Sequence, residues 1–149
     1  MSTHSRSPTI AAAPAPPSAD VLAELGDQHA RLHEQIDTCR AQLDRFERGA
    51  TSVAELTQAV IQLRLLLQAH NGYEERVLPV LLDSVELEGA TSALVRDQVA
   101  EHLALSCGLY DLTTTALRAT LEHLRSHLVF EETLFIRLRS AQLTRRARR

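Results

Sequence analysis

Apolar residues in this chain recur at alternating steps of three and four, and this spacing constrains the fold more than any other feature. In the first such segment the series reads Leu22, Leu25, His29, Leu32, Ile36, Cys39, Leu43 and Phe46. A series of this kind forms one face of an amphipathic helix, interrupted here by a single histidine. We therefore predict a first helix that ends near Gly49.

Three further segments show the same helical spacing. Ser52 and Glu55 form a capping-box pair that marks the start of the second helix. A linker over residues 86–91 starts the third helix, and a turn near residues 111–115 leads to the fourth. Four helices joined by short connections predict an all-α fold, an up-down-up-down four-helix bundle over residues 19–140.

The two ends of the chain differ from the segment between them. Residues 1–18 are rich in alanine but are broken by Pro14, Pro16 and Pro17, so they predict a disordered leader rather than a secretory signal. Residues 141–149 are rich in arginine and predict a short, solvated basic tail.

Composition excludes several classes of protein. The net charge of −3 argues against a nucleic-acid-binding surface over the whole domain. No apolar run approaches the ~18 residues that a transmembrane helix needs. The two cysteines, Cys39 and Cys107, are far apart and form no C-x-x-C pair. We predict a reduced, cytoplasmic protein without membrane partners.

A motif of the form H-x-x-x-E-E-x-x-L occurs twice, as HNGYEERVL at residues 70–78 and as HLVFEETLF at residues 127–135. Side chains four residues apart share one face of a helix, so each histidine and the first glutamate of its motif point in one direction. That direction is the bundle interior, because valine and leucine occupy the flanking positions of the stripe.

Histidines also interrupt the apolar stripes of the first and third helices. At ~1.5 Å of rise per residue, all the interrupting residues fall at a similar depth from one end of the bundle. They are His29, His70, Glu74, His102, His127 and Glu131. Buried carboxylates must be neutralised, paired or metal-bound. Imidazole and carboxylate donors suit iron, manganese or zinc, and we predict a two-metal site with bridging glutamates.

The remaining polar candidates lie beside the stripes. His33 and His123 are interpreted as surface residues or as residues that support the ligands. Glu75 and Glu132, the second glutamates of the two motifs, face ~100° away from their neighbours and are interpreted as solvated. Cys107 is interpreted as a small packing residue.

The histidine on the first helix, the two H-x-x-x-E motifs and the helix-3 histidine resemble the hemerythrin-like, or HHE cation-binding, family. The resemblance covers residues from about 20 to 140. It implies terminal ligation by His29, His70, His102 and His127, with Glu74 and Glu131 bridging two non-haem iron ions. Manganese and zinc are the alternatives.

The resemblance further implies a small-molecule partner: O₂, hydrogen peroxide or nitric oxide. One departure concerns the third helix, where oxygen carriers have a second histidine and this chain has Gln98 and Ser106 on either side of His102. A peroxide-consuming, catalase-like enzyme is one possibility. A second possibility is an iron or redox sensor that has little turnover and binds a protein partner. A third is a purely structural bundle.

Overall fold

The computed structural model describes residues 18–83 and 91–148. Within them the chain forms four α-helices: α1 (Ser18–Glu47), α2 (Val53–Asp83), α3 (Thr91–Gly108) and α4 (Thr114–Ala147). Each helix packs against the next one along the chain, and α1 packs against α4. The all-α four-helix bundle predicted from the spacing is confirmed.

Local signals fix the junction between α1 and α2. Gly49 adopts a positive φ of 68°, which a residue with a side chain rarely adopts, and its amide donates to the carbonyl of Phe46. The capping box is formed as predicted. The amide of Glu55 donates to Ser52 Oγ at 3.2 Å, and the amide of Ser52 donates to the Glu55 carboxylate at 3.0 Å.

Three sequence predictions concern the ends of elements. Apart from Ser18, which begins α1, the predicted leader lies outside the described residues, as does the linker before Thr91. The fourth helix does not end near Ser140 but continues to Ala147, so the basic tail is largely helical. No described helix is both long enough and apolar enough to cross a membrane.

Two apolar clusters fill the interior at different depths. The larger cluster draws on all four helices and consists of Leu32, Ile36, Cys39, Leu43, Leu56, Ala59, Val60, Leu63, Leu67, Leu105, Leu109, Leu117, Leu121, Leu124 and Leu128. The smaller cluster consists of Val21, Leu22, Leu25, Leu78, Leu81, Leu82, Phe135 and Leu138. Along α1, His29 falls between Leu25 of the smaller cluster and Leu32 of the larger one. A polar layer therefore separates the two clusters.

The two cysteines have different environments. Cys39 is buried in the larger cluster, and burial raises the pKa of its thiol to about 11. Cys107 is exposed, so its interpretation as a packing residue was wrong. The buried stripe of α3 passes through Leu105 and continues to Leu109, just after the helix, and Cys107 lies midway between them on another face.

The larger cluster should carry most of the stability of the fold. We expect Leu63→Ala, at a fully buried position, to lower the free energy of unfolding by ~2–5 kcal/mol. Leu65→Ala, on the same helix but at a side chain that is 56% exposed, should change it by less than ~0.5 kcal/mol. Urea denaturation in the presence of a metal chelator measures both. Equal losses in the two variants would contradict this assignment of the core.

Candidate metal centre

The structure brings the six predicted site residues together in the layer between the two apolar clusters. All are buried, with exposed fractions between 0% for the glutamates and 6% for His127. We call this group the polar layer: His29, His70, Glu74, His102, His127 and Glu131. Each helix contributes at least one member, because each apolar stripe is interrupted at this depth.

Glu131 lies at the centre of the polar layer. Its Oε2 is 3.1 Å from Nε2 of His29 and 3.4 Å from Nε2 of His70. Its Oε1 is 2.6 Å from Nε2 of His127 and 3.2 Å from Nε2 of His102. The layer therefore divides into two groups that could each hold a metal ion, and one carboxylate belongs to both.

Glu74 approaches the same two groups from α2. Its Oε2 is 3.1 Å from Nε2 of His102 and 3.6 Å from Nε2 of His70. This oxygen thus lies near one imidazole of each group. Glu74 is in a position to form a second bridge between two ions.

Several nitrogen and oxygen atoms of the layer lie close together but make no hydrogen bond of regular geometry. They are Nε2 of His29, His70 and His127, Oε2 of Glu131 and both carboxylate oxygens of Glu74. Buried polar atoms without partners are costly, at ~1–3 kcal/mol for each group. These atoms converge on one interior space, as expected if their lone pairs bind a cation there.

The two carboxyl groups differ in their protonation. Burial raises the pKa of Glu131, but the surrounding imidazoles, first among them His102, hold it well below its ordinary value. Burial, reinforced by the neighbouring charge of Glu131, raises the pKa of Glu74. The layer therefore favours one ionised carboxylate, and cations at its centre would allow both to ionise.

Protons compete with a metal ion for the imidazole nitrogens of the layer. Burial lowers the pKa of His102, yet the carboxylates of Glu131, Glu74 and Glu75 outweigh burial and raise it to about 10. The pKa of His29 is raised in the same way by Glu131 and Glu132 against the effect of burial. Because metal ligation requires the free Nε2 lone pair, cation binding must release protons from this layer.

The second glutamates of the two motifs are partly exposed, as their interpretation as solvated residues expected, but each also contacts a histidine of the bundle. Oε1 of Glu75 accepts a hydrogen bond from Nδ1 of His102 at 2.9 Å. Oε1 of Glu132 lies 3.2 Å from Nδ1 of His29 and 2.7 Å from Nε2 of His33. Each second glutamate thus reaches the histidine of a neighbouring helix. The Glu-Glu pair occurs in both motifs, and this repetition was the sequence feature that could have indicated a role for the second glutamate.

Nδ1 of His70 also has a side-chain partner: the amide oxygen of Gln28 accepts a hydrogen bond from it at 3.1 Å. A hydrogen bond at Nδ1 fixes the ring orientation and turns the Nε2 lone pair toward the interior. His33 supports the layer through Glu132, as one of its two interpretations expected. His123 is exposed and pairs with Glu101.

The two positions that flank His102 on α3 differ. Gln98, one turn before His102, is buried, with 4% of its surface exposed. Ser106, one turn after it, accepts a hydrogen bond from the side chain of Asn71 at 3.5 Å. Ser106 is therefore engaged with α2, whereas Gln98 keeps a free amide nitrogen.

A family model for the hemerythrin HHE cation-binding domain matches residues 20–138. The chain belongs to this family. The match spans the bundle from α1 to α4 and confirms the family that the motifs resembled. As an HHE domain the protein binds cations, and its two His/Glu groups are capable of holding them. Comparison with curated proteins and with solved structures gives no match.

The hydrogen bond from His102 to Glu75 should raise the affinity of the HHE domain for metal. We expect Glu75→Ala to weaken binding of ferrous ion by ~10–100-fold, because the imidazole loses its orienting acceptor. Glu75→Gln, which retains an acceptor oxygen, should recover much of that loss. Chelator competition under anaerobic conditions measures the affinity.

Glu101→Ala is a matched control for this experiment. Glu101 and Glu75 have side chains that are 36% and 38% exposed, and each pairs with a histidine imidazole. Only the partner of Glu75 belongs to the polar layer. An equal loss of affinity in both alanine variants would mean that Glu75 acts through general charge rather than through His102.

Proposed function

We propose that the HHE domain holds a pair of non-haem iron ions in the polar layer and uses them to bind O₂ or to react with peroxide or nitric oxide. The observation that carries the proposal is the position of Glu131. Its two oxygens face different pairs of imidazoles, His29 with His70 and His102 with His127. A carboxylate in this position suits a bridge between two cations.

The donor set supports a transition metal. Four imidazole nitrogens and two carboxylates favour iron, manganese or zinc over calcium or magnesium, which prefer oxygen ligands. Similarity to hemerythrin favours iron among the three. In this proposal the four histidines are terminal ligands, and Glu74 joins Glu131 as a bridge.

Six side chains leave a pair of metal ions with unfilled coordination positions. If each carboxylate bridges, the layer supplies about eight metal contacts, fewer than two six-coordinate ions require. The iron pair would supply redox chemistry and open positions for a small molecule. The chain would supply the geometry of the ligands and the enclosure around them.

The surroundings of the layer favour binding and redox chemistry over acid–base catalysis. Apolar clusters lie on both sides of the layer, and the ring of Phe135 is 5.2 Å from that of His29. The only other buried polar side chains among the described residues are the amides of Asn71 and Gln98. Neither amide titrates, so the buried side chains other than the six proposed ligands include no general acid or base.

A metal-loading experiment tests this proposal. Protein reconstituted anaerobically with ferrous salt should hold about two iron ions per chain, and exposure to air should produce the optical spectrum of an oxo-bridged diferric pair. His127→Ala should lose iron and the spectrum. His123→Ala, one turn earlier on α4 at an exposed position, should keep both.

The same samples separate the candidate roles. Peroxide consumption by the iron-loaded protein that is lost in His127→Ala would support the enzymatic role. A spectrum that changes reversibly with O₂ in the absence of turnover would support a carrier or sensor. Failure to retain iron, or an equal loss in the two histidine variants, would overturn the proposal.

A further inference from the structure

A cavity of about 400 Å³ lies between α3 and α4. The residues that line it include Gln98 and Glu101 of α3 and Ser126, His127 and Phe130 of α4. His127 belongs to the polar layer, so the cavity extends from the surface to that layer. Its volume exceeds the ~30 Å³ that one water molecule occupies in the liquid, so a molecule of a few atoms can enter it.

This cavity reaches one group of the polar layer and not the other. Of the six layer residues only His127, which shares its group with His102, lines it. Two other cavities in the described part of the chain, one between α2 and α3 and one beside the end of α4, are lined by none of the six. The His29–His70 group instead contacts the smaller apolar cluster through Phe135.

Gln98, which lines the cavity, has an unused hydrogen-bond donor buried beside it. Only 4% of the residue is exposed, and its Nε2 has no hydrogen-bond partner in the structure. An amide nitrogen buried without a partner is costly, and an acceptor atom that reached it from the cavity would satisfy it. Gln98 lies one helical turn before His102, on the same face of α3.

His127 differs from the other histidines of the layer at Nδ1. In each of the other three this nitrogen lies beside a side-chain oxygen. The pairs are His29 with Glu132, His70 with Gln28 and His102 with Glu75. No side chain among residues 20–83 and 93–148 makes a hydrogen bond with Nδ1 of His127. His127 is also the most exposed residue of the polar layer, at 6%.

From these observations we infer that small molecules reach the centre through the α3–α4 cavity, at the His102–His127 group, where the Gln98 amide donates a hydrogen bond to them. The inference rests on the proposed iron pair. The molecules concerned have two or three non-hydrogen atoms, one of which accepts a hydrogen bond; hydrogen peroxide is an example. Gln98 acts as a ligand-positioning residue in this scheme.

Azide binding to the iron-loaded protein tests the route. Ser126→Phe places a large ring at the cavity wall and should slow azide association, followed by absorbance, by ~10-fold or more. Ser140→Phe is the matched control. Both serines are exposed on α4, and each hydroxyl donates to the carbonyl four residues earlier, at 3.1 Å and 3.0 Å. Ser140 lines none of the three cavities.

A second variant tests the role of Gln98. Gln98→Leu removes the donor while the cavity stays open, so azide affinity should fall by ~3- to 10-fold. Iron content, measured on every sample, should match that of the unsubstituted protein, because Gln98 and Ser126 are not ligands in this scheme.

The outcomes separate the two proposals. Protein that retains no iron overturns both the iron pair and this inference. Protein that retains iron, but in which Ser126→Phe associates with azide as fast as Ser140→Phe, overturns the route alone. Unchanged azide affinity in Gln98→Leu overturns the positioning role of the amide and leaves the iron pair standing.

Discussion

A negative charge buried at the centre of the bundle is the constraint on which the rest of this structure depends. Glu131 is fully buried, and four imidazoles from the four helices surround its carboxylate. Desolvation of such a charge costs several kcal/mol unless partners compensate. The polar layer therefore forms only when all four helices take the correct register, and the two apolar clusters on either side hold that register.

The bundle and the membership of the polar layer could be predicted because both follow from distance along a helix. Spacing of three and four identifies the buried stripe, and a rise of ~1.5 Å per residue gives the depth of each interruption. His29 and His102 could be grouped with the two H-x-x-x-E motifs on depth alone. The Ser52–Glu55 cap could be predicted because its interactions span only three residues.

Interactions that depend on how the helices are rotated against one another could not be predicted in the same way. Glu75 and Glu132 reach histidines on neighbouring helices, and their positions one residue after Glu74 and Glu131 give only a direction away from the stripe. Whether that direction meets solvent or another helix depends on interhelical packing. The continuation of α4 past Ser140 was missed because an arginine-rich segment is compatible with both a helix and a solvated tail.

The asymmetry of the layer follows from the same dependence on packing. Each half of the layer has two histidines, so the donor count alone gives no reason for a small molecule to prefer one half. The two halves differ in the residues that surround them. Phe135 lies beside His29, whereas a cavity reaches His127 and is lined by Gln98, whose amide nitrogen has no partner. Gln98, one turn before His102 on α3, therefore places an uncharged hydrogen-bond donor beside the half of the layer that the cavity reaches.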